Sequence, residues 1–240
     1  MIVFPMAGLS SRFFKAGYTK PKYMLEANGY TVFEHAVKSF ECYFDVEPFL
    51  FIVRDVHDTP NFVANKAKEL GVKTCHIVTL KCETRGQAET VFEGIQGFEN
   101  HNDSLTIFNI DTFRPNYLFP KNLLINKDNY LEVFQGSGDN WSFVLPKDKQ
   151  STEVVETAEK RAISNLCCTG LYHFASTKAF LAAYNYYVER KELWEKGELY
   201  VAPLYNYLIG RGNSVHYHLI PKEEVVFCGV PAEYEAFKSF

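Results

Sequence analysis

Residues that could bind phosphate follow directly after the first apolar segment of the chain. The apolar run Ile2–Met6 predicts a buried strand, and Gly8, two serines and Arg12 come next, with Lys22 ten residues further on. Glycine lets the backbone approach a ligand, N–H groups and hydroxyls donate hydrogen bonds, and Arg and Lys offset negative charge. Neither Gly-x-x-x-x-Gly-Lys-[Ser/Thr] nor Gly-x-Gly-x-x-Gly occurs here, so a nucleotide would be held by a different loop design.

The elements that must position this loop alternate between strand and helix. Further strands are predicted over residues 49–53, 72–78 and 105–110. Helices are predicted from the Thr31-x-x-Glu34 capping box, from Asp58-Thr59-Pro60 to Gly71, and over residues 86–95. This order indicates a Rossmann-like α/β fold, with a mostly parallel sheet covered by helices on both faces. Ligands of such sheets bind beyond the carboxyl ends of the strands. We therefore expect three segments to meet there: Gly8–Arg12, Thr84–Gln87 and Asp111.

The second half of the chain is less regular. Strands are predicted over residues 130–135, 142–145, 153–156, 167–174 and 215–220, and helices over 177–190, 201–209 and 231–240. We expect this half to continue the sheet and to form a small β region that covers the substrate. Length and the lack of linkers predict a single domain over 1–240, with a nucleotide-binding half (1–125) and an acceptor-binding half (126–240).

Composition argues against several classes of protein. The formal net charge is −4 and no basic stripe is present, which argues against nucleic-acid binding. No apolar run approaches the roughly 20 residues of a membrane span. The six cysteines form no Cys-x-x-Cys, so a zinc site is not expected, and Cys167 and Cys168 are interpreted as core residues of a reduced protein. Without a signal peptide, the predicted location is the cytoplasm. Oligomeric state cannot be inferred from the sequence.

Six short segments, in order, resemble the nucleotidyltransferases that make nucleoside-diphosphate sugars, the sugar-phosphate pyrophosphorylases. The strongest is the opening, Ala7-Gly8-Leu9-Ser10-Ser11-Arg12-Phe13 with Pro21-Lys22-Tyr23-Met24-Leu25. The others are Gly86-Gln87-Ala88, Asp111, Glu159-Lys160, Thr169-Gly170-Leu171-Tyr172 and Gly229-Val230-Pro231-Ala232-Glu233-Tyr234. The resemblance implies the nucleotide-diphospho-sugar transferase fold, a magnesium ion, and two substrates: a nucleoside triphosphate and a phosphorylated small molecule such as a sugar 1-phosphate.

The resemblance also implies a role for each matching residue. The catalytic residues would be Arg12 on the triphosphate, Lys22 between the two phosphates, and Asp111 as the magnesium ligand. The nucleotide would contact Ala7, Gly8, Leu9, Ser10, Ser11, Arg12 and Gln87, the last through its base. The acceptor would contact Glu159, Lys160 and Gly170.

Each of these side chains also has a purely structural interpretation. Arg12 and Lys22 would be ordinary surface cations, and Asp111 a helix cap or a strand-end turn residue. Gln87 would close a capping box with Thr84, which would tie its amide to the backbone. The Glu159-Lys160 pair would be exposed on a charged turn.

The chain departs from the family pattern near its C-terminus. Many members carry a second metal-binding aspartate two residues before the glycine of the Gly-x-Pro segment, and Phe227 stands there in this chain. Asp139 and Glu224 are the candidate replacements. Asp111 is followed by Thr112-Phe113, where many relatives keep a second polar or acidic residue. The acceptor could therefore differ from a common hexose 1-phosphate.

Three other functions are weighed against the synthesis of a nucleoside-diphosphate sugar. The first is cytidylyl transfer to a non-sugar phosphomonoester, which the sequence leaves open. A glycosyltransferase is disfavoured because no Asp-x-Asp pair is present. A non-catalytic nucleotide-binding module is disfavoured because Arg12, Lys22 and Asp111 are all present. The base is not determined, and a role in making surface polysaccharide rests on family analogy.

Overall fold

The computed structural model describes residues 1–98, 100 and 102–239. It is a mixed α/β protein with a central, mostly parallel sheet flanked by helices, which confirms the predicted fold class. The strands are β1 (Ile2–Pro5), β2 (Glu26–Ala27), β3 (Tyr30–Thr31), β4 (Phe49–Arg54), β5 (Cys75–Leu80), β6 (Leu105–Phe108), β7 (Thr112–Phe113), β8 (Asn129–Gln135), β9 (Ser142–Pro146), β10 (Val154–Glu159), β11 (Leu166–Phe174), β12 (Val215–Ile220) and β13 (Val226–Phe227). The α-helices are α1 (Ser11–Lys15), α2 (Val32–Lys38), α3 (Thr59–Leu70), α4 (Gln87–Ile95), α5 (Lys121–Asn126), α6 (Thr177–Val188), α7 (Tyr205–Gly210) and α8 (Pro231–Lys238).

The chain divides into two compact units, which are described separately. The opening unit comprises residues 2–83, 108–118 and 223–240, and the middle unit comprises Met1, 84–107 and 119–222. The predicted division into halves at residue 125 stays a prediction. Among the described residues, no helix combines the length and the apolar composition that crossing a membrane requires.

In the opening unit, β1, β4 and β5 form a parallel ladder, as the sequence predicts. The helix between β3 and β4 begins at the predicted capping box, in which the Thr31 hydroxyl accepts from the Glu34 N–H and the Glu34 carboxylate accepts from the Thr31 N–H. The next helix ends at Gly71, whose φ of +87° suits a residue without a side chain. The core beside these strands is aromatic, with Phe4, Phe40, Phe49, Phe51 and Phe108 in mutual ring contact.

Local chain geometry moves several boundaries in the opening unit. The strand predicted from Val72 begins at Cys75, because the two residues after Gly71 bond elsewhere. The Val72 N–H donates to the Ala67 carbonyl of the preceding helix, and the Lys73 N–H donates to the Phe44 carbonyl. Helix α1 was not predicted, and it turns Ser11 and Arg12 into helical residues. The hairpin of β2 and β3 around Asn28-Gly29 was also missed; both of these turn residues have positive φ.

The middle unit is organised around β11, which is buried along its whole length. It pairs antiparallel with β8 and β9; β9 pairs antiparallel with β10, and β12 pairs parallel with β8. The predicted strands are present, although β10 extends to Glu159. The predicted helix over 201–209 is a 3-10 turn (Ala202–Leu204) followed by α7, and α5 was not predicted. Cys167 and Cys168 are buried and unpaired, as expected of core residues.

In the opening unit, the predicted closing helix ends at Lys238, and its last predicted residue, Phe240, lies outside the described residues.

Candidate active site

The predicted phosphate loop leaves β1 and runs along the surface of the opening unit. Ala7 is buried, whereas Gly8 and Leu9 are exposed. A Cβ atom built on Gly8 would meet no atom within 4 Å, so protein packing does not require glycine there. The open space above this backbone is therefore available to a ligand. Ser11 and Arg12 lie in the first turn of α1, both exposed, and the Arg12 guanidinium forms no ion pair with any described residue.

Ser10 connects this loop to the segment that carries Lys22. Ser10 caps α1 in the left-handed conformation, with φ of +51°. Its Oγ accepts a hydrogen bond of 3.1 Å from the Lys22 backbone N–H. The hydroxyl hydrogen stays available for donation to a further acceptor. Ser10 therefore holds the 3-10 turn Lys22–Met24 against the loop.

Lys22 and Asp111 form an ion pair. The Lys22 Nζ lies 2.5 Å from Asp111 Oδ2, and the two side chains are 22% and 19% exposed. Asp111 lies between β6 and β7, and its carbonyl accepts from the Cys228 N–H at 2.8 Å. Lys22 is thus not an ordinary solvated lysine, and Asp111 caps no helix. The pair is accessible from solvent yet shielded on most sides.

Glu233 is a second carboxylate near Asp111 that sequence reasoning did not single out. A Cβ atom on Gly229 would lie 3.0 Å from Asp111 Oδ2 and 3.6 Å from Glu233 Oε2, so both carboxylates border the same glycine. The Glu233 Oε2 accepts from the N–H groups of Gly229 and Val230. Its position, two residues after the Pro that begins α8, is a helix-start signal that could have identified it.

Of the two residues proposed to replace the missing aspartate, Glu224 lies in the opening unit and is engaged in an ion pair. Phe227 pairs with Thr112 across the β13–β7 ladder. Glu224 forms an ion pair with Arg114, at 3.2 Å from its Nη1. Asp139 belongs to the middle unit, and its metal role stays a prediction. The described residues contain no cluster of three or more His, Cys, Asp or Glu side chains able to hold a metal.

The Cys228 thiol, beside this pair of carboxylates, is held protonated. Burial, together with the negative charges of Asp111 and Glu233, raises its pKa to about 12, while Lys22 opposes the shift. A neutral thiol is a poor ligand for a hard cation, so Cys228 contributes volume to this site rather than charge.

In the middle unit, Gln87 is the first residue of α4, and Gly86 caps that helix. The predicted capping box between Thr84 and Gln87 is wrong, because the helix begins too late for Gln87 to be its third residue. The Thr84 hydroxyl instead lies 2.6 Å from the Thr90 hydroxyl. Gln87 is therefore not committed to Thr84, and base contact stays a prediction.

Glu159 and Lys160 lie at the end of β10. The Glu159 side chain is only 7% exposed, which contradicts the exposed-pair interpretation. Its Oε2 accepts from the Ser142 hydroxyl, and Oε1 lies 4.0 Å from the Lys160 Nζ. Burial raises the pKa of Glu159, and the charges of Glu195 and Glu198 act in the same direction, against Ser142 and Lys160. The Lys160 ammonium donates to the Tyr200 hydroxyl.

Gly170 lies inside the buried strand β11. Its φ is +97°, and the pairing of β11 with β8 shifts register between Cys168 and Tyr172 around it. The Tyr172 hydroxyl lies 3.2 Å from Ser142 Oγ, which in turn bonds to Glu159. Contact between Gly170 and an acceptor stays a prediction.

The structure thus assembles the predicted residues as two groups. In the opening unit, Ser10, Lys22 and Asp111 are joined by direct contacts, with Gly8 and Arg12 on the same loop. In the middle unit, Glu159 and Lys160 are neighbours held by Ser142 and Tyr200. The expected meeting of Thr84–Gln87 with the opening-unit residues stays a prediction.

No protein-family model matches the chain, and no curated protein sequence matches it. Solved structures do. A nucleoside-diphosphate-sugar pyrophosphorylase from Vibrio cholerae RC9 is 59% identical, with a TM-score of 0.96 and 100% of each chain covered. A proposed glucose-1-phosphate thymidylyltransferase from Bacillus anthracis is 19% identical, with a TM-score of 0.77 over 99% of this chain and 93% of that one. A UDP-glucose pyrophosphorylase in complex with UDP-glucose is 13% identical, with a TM-score of 0.76 over 99% and 96%.

The thymidylyltransferase and the UDP-glucose pyrophosphorylase, both under 25% identical, show only that the fold is shared. The Vibrio cholerae enzyme is 59% identical over the full length of both chains, which shows membership of the same family. The sequence resemblance is thereby confirmed over the whole chain. This protein belongs to the nucleoside-diphosphate-sugar pyrophosphorylases and is an enzyme of the nucleotidyltransferase type.

Proposed function

We propose that this enzyme joins a nucleoside triphosphate to a sugar 1-phosphate and releases pyrophosphate, in a magnesium-dependent reaction. The observation that carries the proposal is the Lys22–Asp111 ion pair, 2.5 Å long and beside a loop with open backbone at Gly8. A cation and a carboxylate beside an open stretch of backbone are groups that phosphoryl transfer can use. The 59% identical relative, described as a nucleoside-diphosphate-sugar pyrophosphorylase, supports the sugar phosphate as acceptor.

The reaction itself asks for positioning rather than for a base. A phosphate oxygen of the acceptor attacks the α-phosphorus in line with the departing pyrophosphate. This oxygen already carries negative charge near neutral pH, so no proton has to be removed from it. The contribution of the protein is to hold two anions together and to offset their charge.

The opening unit supplies the triphosphate contacts. Backbone at Gly8 and Leu9, with the hydroxyls of Ser10 and Ser11, would face phosphate oxygens. The Arg12 guanidinium, which forms an ion pair with none of the described residues, would bind them through two N–H groups. Lys22, fixed at its backbone by Ser10, would turn its ammonium from Asp111 towards the two phosphates. Because the Lys22 side chain is only 22% exposed, the attraction of its ammonium for an anion is weakly screened.

The residues around Asp111 fit a magnesium ion. Magnesium binds through one or two carboxylates together with substrate phosphates, and Asp111 offers a carboxylate on which a cation, the Lys22 ammonium, already rests. Glu233 adds negative charge across Gly229. When bound, magnesium would supply positive charge to the phosphate oxygens.

The middle unit supplies the proposed acceptor and base contacts. Lys160 would pair with the acceptor phosphate, and Glu159, whose Oε2 is occupied by Ser142, would accept from an acceptor hydroxyl through Oε1. Gln87, at the start of α4, would read the base. The proposed location is the cytoplasm, and the proposed role in polysaccharide synthesis rests on family analogy.

Pyrophosphate release tests this proposal directly. The enzyme is assayed with ATP, CTP, GTP, UTP and dTTP, each against a panel of sugar 1-phosphates and phosphorylated amino alcohols, with magnesium or with EDTA. We expect release with one base and a sugar 1-phosphate, abolished by EDTA. Release only with an amino alcohol phosphate would instead indicate cytidylyl-type transfer to a non-sugar acceptor. No release from any pair would contradict the catalytic proposal.

A further inference from the structure

The strap, defined as residues 194–200, runs alongside the loop that precedes α4 in the middle unit. The Leu199 N–H donates to the Arg85 carbonyl at 2.9 Å, and the Leu199 carbonyl accepts from the Ala88 N–H at 2.9 Å. This two-bond ladder fixes the strap to the segment that also carries Gln87. The strap is therefore attached directly to the segment of the predicted base-reading residue.

Gly86 makes this close approach possible. A Cβ atom there would lie 2.4 Å from the Leu199 carbonyl oxygen and 2.6 Å from its nitrogen. The backbone of Gly86 also has φ of +149° and ψ of 178°, a region that is essentially restricted to glycine. Both observations show that residue 86 must lack a side chain for the strap to dock.

Arg85 is anchored as well. Its backbone N–H donates to Glu89 Oε2 at 2.5 Å, and its Nε donates to Glu89 Oε1 at 2.7 Å. The Arg85 guanidinium also lies 5.2 Å from the Trp194 ring, at the other end of the strap. The strap is thus held near both ends.

Tyr200, the last residue of the strap, reaches Lys160. Its hydroxyl accepts a hydrogen bond from the Lys160 Nζ, and this nitrogen lies 4.5 Å from the Tyr200 ring centroid. The Lys160 backbone is itself fixed, since its N–H donates to the Trp141 carbonyl at 2.8 Å. The ammonium stays 4.0 Å from Glu159 Oε1, beyond hydrogen-bond distance. Tyr200 therefore holds the ammonium short of the neighbouring carboxylate.

We propose that Tyr200 is a positioning residue of the acceptor site, which keeps the Lys160 ammonium ready for the phosphate of the incoming acceptor. The inference rests on the proposed function, in which Lys160 contacts that phosphate. If the Lys160 ammonium formed a close ion pair with the Glu159 carboxylate, its positive charge would be offset and directed away from the acceptor phosphate. The neutral Tyr200 hydroxyl holds the ammonium without offsetting that charge. Docking of Leu199 on Gly86 sets where Tyr200 lies, and so links the acceptor site to the loop of Gln87.

The substitution Tyr200→Phe tests the inference, because it keeps the ring and removes only the hydroxyl. The lysines are labelled by reductive ¹³C-methylation and observed by NMR. The signal that is missing from the spectrum of Lys160→Arg is assigned to Lys160. Inorganic phosphate is titrated against that signal. We expect Tyr200→Phe to shift the Lys160 signal and to weaken phosphate binding about tenfold. The control Tyr186→Phe, in which the ring contacts Arg190 and Tyr207, should leave both unchanged.

Steady-state kinetics supply the second readout. Tyr200→Phe should raise the KM for the acceptor about tenfold and leave the KM for the triphosphate within about twofold. In a Lys160→Ala background, the same change should have no further effect, because the group that it positions is gone. An equal loss in that background, or an unchanged phosphate titration, would overturn the inference. Absence of turnover with every substrate pair would count against the proposed function instead, and the phosphate titration would still decide on Tyr200.

Discussion

The Lys22 ammonium lies 2.5 Å from the Asp111 carboxylate, although the two residues are 89 positions apart in the chain. In this arrangement a lysine occupies one oxygen, Oδ2, of the carboxylate that is proposed as a magnesium ligand. Under the proposed function, the ammonium of Lys22 would pass to phosphate and the carboxylate of Asp111 to the cation. Each side of this exchange can be tested by its own substitution.

Replacing Lys22 by Met should lower kcat/KM by about a hundredfold or more, because a preorganised charge facing the transferred phosphate is lost. The free energy of unfolding should change by only about 1 kcal/mol, because a single partly exposed ion pair contributes little. Pyrophosphate release and urea unfolding measure the two quantities. Lys20→Met, an exposed lysine two residues earlier, is the matched control. Normal turnover in Lys22→Met would refute the phosphate-bridging role.

Asp111→Asn should raise the magnesium concentration for half-maximal activity by about tenfold or more, because a neutral amide binds a hard cation poorly. Binding of Mn²⁺, followed by electron paramagnetic resonance in the presence of triphosphate, should weaken in parallel. Asp45→Asn removes a surface carboxylate that pairs with Lys73 and serves as the control. Equal Mn²⁺ affinity in wild type and Asp111→Asn would show that another group holds the metal.

Gly86→Ala should lower the free energy of unfolding by about 1 to 3 kcal/mol, the cost of placing a side chain in a glycine-only backbone region. The new methyl group would also press on the Leu199 backbone, 2.4 Å from its carbonyl oxygen. The KM values of both substrates should rise, because the strap would move away from the loop. The loop carries Gln87, proposed to contact the triphosphate, and the strap carries Tyr200, proposed to act on the acceptor site. In Gly97→Ala, where a Cβ atom meets nothing within 4 Å, both properties should stay near those of the wild type. An unaltered Gly86→Ala enzyme would show that the strap docks differently.

His173 predicts how stability depends on pH. Burial lowers its pKa from 6.5 to about 3 in the folded protein. The unfolded chain binds the proton more readily, so the stabilisation is complete above pH 6.5 and is lost as the pH falls towards 3. From pH 6.5 to 5, His173 alone should lower the free energy of unfolding by about 2 kcal/mol.

His173→Phe should remove this part of the pH dependence, because a phenyl ring can keep the stacking on Tyr130 but cannot bind a proton. Urea unfolding of both proteins at pH 7, 6 and 5 measures the difference. Parallel stability curves for the two proteins would mean that His173 binds its proton equally well in both states.

Helix α4 shows how far local signals reach. The predicted helix over 86–95 is present, but it begins at Gln87 with Gly86 as its cap, so Gln87 cannot be the third helical residue of a capping box with Thr84. A shift of one residue or two changes the role of a side chain, and sequence patterns do not fix helix ends so closely. The short helix α1 was missed for a related reason, since five residues carry too few apolar positions to show a period.

The sequence by itself determined the fold class, most of the strands, the capping box at Thr31 and the order of the family segments, and hence the family. These features depend on apolar periodicity and on residues adjacent along the chain. Only the tertiary structure decided that Lys22 rests on Asp111, that Glu233 borders the same glycine, and that Tyr200 holds Lys160. Such contacts join residues far apart in sequence, and they depend on how the segments pack, which no local pattern encodes.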